Sequence, residues 1–366
     1  NLPITISASA GYNQNFATGL TDIRLPDMTV AVNQFYLFKP KTGVRTGLLE
    51  NINVNTGFAL SNYVTTTEDQ LFKQQMWQDL KTGAKNNISL STNTTLAKFF
   101  TFSLSANADN VLTTKTLEKS FNPVTNVIDN VYNNGIAAYS TFSTNASLQT
   151  ILYGQKNFGK KSPIVAIRHM MTPSFSFTYS PDFGARSWGY YRDYANARGE
   201  ITPYSIFEGG IYGAPSTGLT QSLGFNIANN IEMKVKSKSD STGVKKVKIF
   251  ENLNVSGGYN FAAEKYKWSV FSVNAQSSFF DSKLNVNSSL TIEPYQIVFA
   301  NGSDTGIRTE NFGHFSLKGF NLQLSYPISD AIFGKKEELS KKYKKKGEIR
   351  NENYYFDDDN YAHYLP

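Results

Sequence analysis

Residues Leu284 to Ile292 read LNVNSSLTI, a stretch in which apolar and small polar side chains alternate. The apolar positions are Leu284, Val286, Leu290 and Ile292, and the polar positions are Asn285, Asn287, Ser289 and Thr291. Successive side chains of a β-strand point to opposite faces of the sheet, so the stretch predicts a strand with one apolar and one neutral polar face. A transmembrane β-barrel has this arrangement. We therefore predict that the apolar set faces lipid and that the polar set faces the lumen.

The same alternation recurs along the chain and predicts an all-β protein. It is visible at residues 4–12, 52–60, 100–107, 223–227, 231–235, 253–261, 284–292 and 320–328. Segments of about ten residues separated by turns suit a tilted crossing of a bilayer. We therefore predict the wall of an antiparallel transmembrane β-barrel, as an incomplete portion of a larger barrel. A secreted β-sandwich or a solenoid is the alternative, although no fixed repeat period supports a solenoid.

The composition also indicates faces that meet something other than bulk water. Aromatic residues make up 14% of the chain and charged residues only 18%, whereas roughly a quarter is usual in soluble domains. Aromatic side chains near strand ends form girdles at the two interfaces of a membrane barrel. The residues that the sequence offers for such girdles include Tyr12, Tyr259, Phe261, Trp268 and Tyr326.

Several functional classes are disfavoured by the residues present. The chain has no cysteine, which removes disulfides, thiolate nucleophiles and Cys-based metal sites, and its three histidines are far apart in sequence. No apolar run approaches the ~20 residues of a membrane-spanning helix. The net charge of +7 could suggest nucleic acid, but much of the lysine lies in one run at residues 335–346. We predict no metal, no cofactor, no nucleic-acid partner and no enzymatic activity.

The segment SPIVAIRHMMTPSFSFTYSPDFG, residues 162–184, contains the most unusual local sequence. Its Arg-His pair is either catalytic or architectural. A catalytic pair would need an orienting group and a nucleophile, and no G-x-S-x-G, paired-carboxylate or H-E-x-x-H pattern accompanies it. Proline is confined to strand starts, edges and bulges. We therefore predict a structural corner in which the strand begins at the first proline of the set and the Asp pairs with the Arg-His pair. The set comprises Arg168, His169, Thr172, Pro173, Pro181 and Asp182.

Two further segments predict local structure outside the strands. The stretch from Tyr190 to Gly218 is dense in Tyr, Gly and Pro and reads equally well as a sugar-binding or plug-like loop and as an ordinary packed loop. The stretch TTEDQLFKQQMWQDLKTG, residues 66–83, predicts one short helix within a loop. Thr67 is the expected N-cap of this helix and Gly83 its expected end.

A series of segments, in order, resembles the outer-membrane lipopolysaccharide-assembly family LptD in its Bacteroidetes branch. The resemblance runs from about Ile23 to Tyr326, and no single segment would carry it alone. The segments are IRLPDMTVAVNQFYLFKP from Ile23, TILYG from Thr150, AIRHMMTPSFSFTYSPDFG from Ala166, SIFEGGIYGAPSTG from Ser205, IEMKVKSKSDSTGVKKVKIFENLNVSGGYNFAA from Ile231 and WSVFSVNAQSSFFDSKLNVNSSLTIEPY from Trp268.

The resemblance implies a transport protein of the bacterial outer membrane that helps to insert lipopolysaccharide into the outer leaflet. Implied partners are lipopolysaccharide, an LptE-like lipoprotein plug, the periplasmic lipopolysaccharide-bridge components and membrane lipid. It also implies a leader, a periplasmic jelly roll and further strands outside this sequence. We expect residues 1–330 to form barrel strands and loops and residues 331–366 a charged loop or tail. Alternatives are another large barrel, either a protein-secretion translocon or a nutrient receptor, and a soluble carbohydrate-binding β protein.

Overall fold

A computed structural model describes residues 4–38, 40, 43, 47–237, 243–280, 283–299 and 306–327. Within these residues the chain forms fifteen strands and one α-helix, α1, at Gln74–Asp79. The strands are β1 Ile4–Asn15, β2 Leu20–Tyr36, β3 Asn53–Thr67, β4 Lys81–Leu96, β5 Phe100–Asn122, β6 Val127–Thr150, β7 Leu152–Asn157, β8 Ile164–Ser180, β9 Tyr191–Ala195, β10 Ile201–Ser205, β11 Thr220–Lys236, β12 Val244–Asn260, β13 Phe271–Phe279, β14 Leu284–Phe299 and β15 Gly306–Ser325.

Thirteen of these strands form one antiparallel sheet in which neighbours in sequence are mostly neighbours in space. The order runs β1-β2-β3-β4-β5-β6-β8-β11-β12-β13-β14-β15, with β7 also paired to β8. Strands β9 and β10 form a separate hairpin, so β8 pairs directly with β11. Among the described residues β1 and β15 are the two edges and are not paired with each other. The prediction of a large, antiparallel, all-β wall is confirmed.

The central strands are longer than the predicted crossings of about ten residues. Strand β5 has 23 residues and β6 has 24, and the two pair from Phe100 opposite Thr150 to Asn122 opposite Val127. At ~3.3 Å per residue such a strand is roughly 75 Å long. Because a tilted membrane crossing needs only about 9–11 residues, this hairpin extends well beyond one bilayer thickness.

Helix α1 is shorter than predicted and has different ends. Strand β3 runs to Thr67 and β4 begins at Lys81, so only residues 68–80 are left for the connection. The helix has Lys73 at its N-cap, with no side-chain cap hydrogen bond, and the predicted end, Gly83, lies within β4. Burial of Met76 against two strand residues, Ile23 and Val64, holds the connection to the sheet. Tertiary packing rather than capping therefore sets the helix.

The sheet is covered by little protein. Among the described residues, apart from the cluster around Met76, the other apolar cluster of buried residues is Val111, Tyr139 and Phe207. Large apolar side chains stand open on many strands, and Phe320 and Leu322 are 61% and 52% exposed. A single-layer sheet with so much apolar surface needs a partner other than water. No helix among the described residues is long and apolar enough to cross a membrane.

Candidate transport surface

Small polar side chains form a continuous row across the sheet. Residues paired directly in neighbouring strands lie on the same face. Following the ladder from β5 to β14 gives one uncharged row: Thr101, Gln149, Ser174, Asn226, Ser256, Ser272 and Thr291. The face that carries this row is called the polar face below, and the opposite one the apolar face.

Further rows make the polar face continuous. Another row on the same face lies four residues along each strand from the first. It contains Ser91, Ser105, Asn145, Thr178, Ser222 and Asn260. Within it the amide of Asn145 donates to the hydroxyl of Thr178 over 2.8 Å. The polar face therefore offers hydroxyl and amide groups on eight strands, β4–β6, β8 and β11–β14, rather than at isolated positions.

The apolar face is the alternate set of the same strands. One of its ladders joins six strands through Pro173, Ile227, Val255, Val273, Leu290 and Phe320. Strand β14 contributes to both faces as its alternation requires: Asn285, Asn287, Ser289 and Thr291 lie on the polar face, and Leu284, Val286, Leu290 and Ile292 on the apolar one. That the first set faces a lumen and the second set lipid stays a prediction.

Aromatic rings cluster where β12 ends and β13 begins. The ring centroids of Tyr259 and Phe261 are 4.9 Å apart, and those of Tyr259 and Trp268 are 5.0 Å apart. Trp268 also stacks on Phe312 of β15, at 5.6 Å. Three of the five residues proposed for interfacial girdles, Tyr259, Phe261 and Trp268, thus meet in one group, which suits the boundary between apolar and aqueous surroundings.

The 39 residues between β8 and β11, residues 181–219, fold back onto the polar face. This β8–β11 segment buries Phe207 against Val111 of β5 and Tyr139 of β6, with the Phe207 and Tyr139 rings 4.7 Å apart in an edge-on arrangement. Val111 lies on the same face as Thr101, since β5 is regular between them. The segment therefore occupies the side of the sheet that carries the uncharged rows.

Hydrogen bonds to three strands fix the segment in place. The backbone N–H of Leu117 donates to the carbonyl of Ile206 over 2.8 Å. The Tyr139 hydroxyl donates to the carbonyl of Gly213 over 3.1 Å, and the Tyr212 hydroxyl to the carbonyl of Ala59 over 3.2 Å. One phenol group from β6 and one from the segment thus satisfy partly buried backbone acceptors on the two sides of the contact.

A glycine in β4 makes room for the segment. A Cβ atom at Gly83 would lie 2.4 Å from the side chain of Ile211. No larger residue fits there without moving the segment, because real Cβ contacts are never so short. Gly83 thus leaves space for the side chain of Ile211, a role different from the predicted helix end.

One ion pair adds to this packing. The ammonium of Lys119 lies 2.6 Å from the carboxylate of Glu208. Partial burial raises the pKa of Glu208, but the hydrogen bonds from Lys119 and from the backbone N–H of Ser205 outweigh that effect and leave the pKa below its ordinary value. Burial raises the pKa of Tyr191 in the same segment. The carboxylate of Glu208 is therefore stabilised in its charged form where the segment crosses β5.

The residues of the predicted corner lie in two separate parts of the structure. Strand β8 runs without a break from Ile164 to Ser180, so the prediction that it begins at Pro173 is wrong. Pro173 pairs with Ile227 on one side, and on its other side the neighbouring strand is interrupted at Ile151, between β6 and β7. A proline has no N–H to donate, so it fits where one ladder is broken. Thr172 lies beside it, paired with Ala228.

Arg168 and His169 do not pair with Asp182, which corrects the second expectation for this set. Asp182 follows the far end of β8, roughly 40 Å from Arg168 at ~3.3 Å per residue. The guanidinium of Arg168 lies 5.6 Å from the ring of Tyr153 on the polar face. His169 points to the other face, with its Nε2 2.9 Å from Oδ1 of Asn229.

Pro181 and Asp182 belong instead to the start of the β8–β11 segment. The carboxylate oxygen Oδ1 of Asp182 accepts hydrogen bonds from the backbone N–H groups of Gly184 and Gly218, over 2.8 and 2.7 Å. One side chain thus ties the first residues of the segment to its last. Sequence reasoning missed this contact, and the Asp-x-Gly spacing was its available signal.

A group of cations on the polar face was also missed. Lys234 of β11 pairs with Ala166 and Lys246, and Arg168 stands opposite Glu232. Alternating lysines in the stretch from Ile231 to Lys236 could have indicated one charged face of a strand. Among the described residues no three His, Asp or Glu side chains are placed to hold a metal ion.

The family model described as LptD protein matches residues 1–295. No curated protein matches the sequence. Among solved structures, the siderophore receptor PiuA from Acinetobacter baumannii aligns with 10% identity and a TM-score of 0.31, over 89% of this chain and 57% of the receptor. The chain thus spans little more than half of that receptor, and a likeness this low supports no argument about function.

The family model covers most of the described sheet, including the strands that carry the polar rows and the β8–β11 segment. The Bacteroidetes branch stays a prediction. Residues 331–366 lie outside the described part, so the proposed division at residue 330 stays a prediction too. The match, together with an antiparallel sheet many of whose apolar side chains are exposed among the described residues, shows that this chain belongs to the LptD family of outer-membrane β-barrel proteins.

Proposed function

We propose that this chain is the barrel-wall region that helps to insert lipopolysaccharide into the outer leaflet of the outer membrane. The sugars of the glycolipid pass along the polar face, and its acyl chains leave toward the membrane side of the wall. The observation that carries the proposal is the uncharged polar row from Thr101 to Thr291, with an apolar ladder on the opposite face of five of its strands, β8 and β11–β14.

The chemistry of the row suits a passage rather than a tight site. Hydroxyl and amide side chains donate and accept hydrogen bonds, as water and sugar hydroxyls do, so a moving sugar can exchange one partner for the next at little cost. A row of like charges would instead hold phosphate groups strongly or repel them. The wall itself is passive in this proposal, and the energy for movement comes from elsewhere.

We further propose an LptE-like lipoprotein plug and the periplasmic bridge components as partners, with residues 1–330 as wall and loops. Family membership supports both assignments. The β8–β11 segment partly fills the polar face, where it narrows the space left for a plug and for substrate. It is thus proposed as a fixed part of the passage, of the plug-like kind that its composition allows.

A paired substitution in the full-length protein tests the proposal. Asn226→Leu with Ser256→Leu replaces two adjacent members of the polar row by apolar side chains. We expect surface lipopolysaccharide, normalised to folded protein in the membrane, to fall several-fold. The matched control, Ile227→Leu with Val255→Leu, changes the neighbouring pair on the apolar face and leaves export unchanged. Normal export by the first variant at normal protein level would contradict the proposed passage.

A further inference from the structure

A basic cavity lies on the polar face, near the end of the sheet where β8 begins and β11 ends. It is lined by Arg168 of β8, Lys234 of β11 and Lys246 of β12, together with Glu232 and Gln155, and has a volume of about 380 Å³. Register fixes the group: Arg168 is opposite Gln155 on one side and Glu232 on the other, and Lys234 is opposite Lys246. The function proposed above makes no use of it.

The charges of the cavity do not cancel. The ammonium of Lys246 lies 2.8 Å from the carboxylate of Glu232. In the described part of the chain no carboxylate pairs with Arg168 or Lys234. Three cations and one carboxylate leave an excess of two positive charges. Cations gathered on adjacent strands repel one another, so a polyanion that enters the cavity relieves that repulsion.

A second cleft, with a charged wall and an aromatic wall, adjoins this cavity through Lys246. The backbone ladder between β12 and β13 runs only from Asn252 to Ser256. Before it, the Ser277 hydroxyl donates to the carbonyl of Ile249 over 2.8 Å, and beyond that contact a cleft opens between the two strands. The opening holds about 440 Å³ and is lined by Lys246, Lys248 and Glu251 on one side and by Phe279 and Phe280 on the other. The ammonium of Lys248 lies 2.9 Å from the carboxylate of Glu251, so Lys246 is the cation that this cleft shares with the basic cavity. Phe280 is 72% exposed at the end of the cleft. Lys246 thus lines both the basic cavity and the cleft that contains the two phenylalanines.

We propose that these two cavities together bind the phosphorylated head of an anionic amphiphile. Its phosphate lies among Arg168, Lys234 and Lys246, and the first part of an apolar chain lies against Phe279 and Phe280. Arginine presents a planar fork that matches phosphate oxygens in pairs, while lysine contributes a point charge. This inference rests on the proposed function. It assigns to the transported glycolipid a binding site from which the molecule then moves along the uncharged rows.

Exposure of the cations makes binding at this site reversible. Arg168 and Lys234 are open to solvent, so their attraction for phosphate is screened by salt and weaker than that of a buried site. A transported molecule must leave each site that it occupies. The cationic cavity should therefore retain the glycolipid at one end of the sheet, whereas the uncharged rows let it move along the rest.

Binding to the full-length protein in non-ionic detergent tests the inference. The probes are diphosphorylated lipid A, the same lipid A after enzymatic removal of its phosphates, and inorganic phosphate, and native mass spectrometry measures the bound fraction. Arg168→Gln and Lys234→Gln should each weaken binding of the phosphorylated lipid by about tenfold, as for one lost charge-assisted contact. Neither should change binding of the dephosphorylated lipid. Arg168→Lys should restore part of the loss.

The matched control is Lys156→Gln. Lys156 is opposite Ile167, one residue along from the pair of Gln155 and Arg168, so its side chain lies on the opposite face of the sheet at nearly the same height. The substitution therefore removes one positive charge without changing the cavity. It should bind both lipids as the unaltered protein does. Each variant is first checked for normal folded yield, and Lys234→Gln, at an exposed position, keeps the test available if Arg168→Gln fails to fold.

The outcomes separate the inference from the function on which it rests. Equal binding of phosphorylated lipid by the unaltered protein and both Gln variants would overturn the inference and leave the transport function intact. Failure of the unaltered protein to bind either lipid would count against the transport function itself. Full displacement of the lipid by equimolar inorganic phosphate would assign the site to free phosphate and overturn its assignment to a lipid head group.

Discussion

Truncation of Phe207 should release the β8–β11 segment while leaving the sheet intact. Phe207 is 2% exposed and packs on Val111 and Tyr139. Replacing a buried Phe by Ala costs about 3–5 kcal/mol. The strand ladders do not depend on this side chain, so the loss falls on the docking of the segment. At about 1.4 kcal/mol per factor of ten, even the lower value raises the undocked population more than roughly 100-fold.

Hydrogen exchange measured by mass spectrometry of the full-length protein in detergent checks this expectation. The backbone amide of Leu117, which donates to the carbonyl of Ile206 across the contact, should exchange at least about 100-fold faster in Phe207→Ala. Peptides from β14 should not change. Phe16→Ala is the matched control, because Phe16 is 88% exposed in the turn between β1 and β2 and should leave exchange unaltered throughout. Unchanged protection of the Leu117 amide in Phe207→Ala would refute the docking argument.

Three other expectations follow from the same contacts. Cysteines introduced singly along residues 284–292 of this cysteine-free chain should react with a water-soluble thiol reagent only at alternate positions, those of the polar face; labelling of the other set would reverse the assignment. The pKa of Glu208 is lowered, so its ion pair with Lys119 stabilises the docked segment at pH values above the range in which a free glutamate titrates. That stabilisation is lost as the pH falls through the lowered pKa. This half-exposed pair contributes less than about 1 kcal/mol, so protection of residues 205–210 should decline modestly on acidification, and a rise would contradict the sign. His169→Gln should leave lipopolysaccharide export per folded molecule unchanged, since His169 contacts Asn229 on the apolar face; loss of export at a normal protein level would place it in the passage.

Alternation alone was sufficient to predict about half of the described strands, among them β1, β3, β5, β12 and β14, and the two faces of each. In β14 every second residue from Leu284 is apolar up to Ile292 except Ser288, and the ladder keeps that order across its neighbours. Period-2 patterning is a local property, so it survives without knowledge of the partner strand. Strand β6 shows the limit: its first half mixes Asn, Gly and Tyr without alternation, because there it extends past β8, its partner only from Thr144 onward.

Long-range contacts account for what the sequence left undecided or led us to predict wrongly. Pro173 was taken for a strand start, since nothing local reveals that the adjoining strand is interrupted at Ile151. Arg168 was expected near Asp182 because sequence distance was the available guide, although the two lie at opposite ends of one extended strand. The packing of Phe207 on Tyr139 joins residues 68 positions apart, and no pattern in either stretch specifies it.

The two hydrogen bonds at Asp182 make the β8–β11 segment equivalent, for the sheet, to a tight turn. Gly184 and Gly218 are bound to the same carboxylate oxygen, so the chain leaves and re-enters the wall at almost one point. The length of a loop then matters little to the strands that it joins, because each doubling adds only about 0.6 kcal/mol of closure entropy. The segment is therefore a replaceable insert. A designer could exchange its interior for a foreign peptide while β8 and β11 keep their register, at the cost of the contacts of Phe207 with β5 and β6.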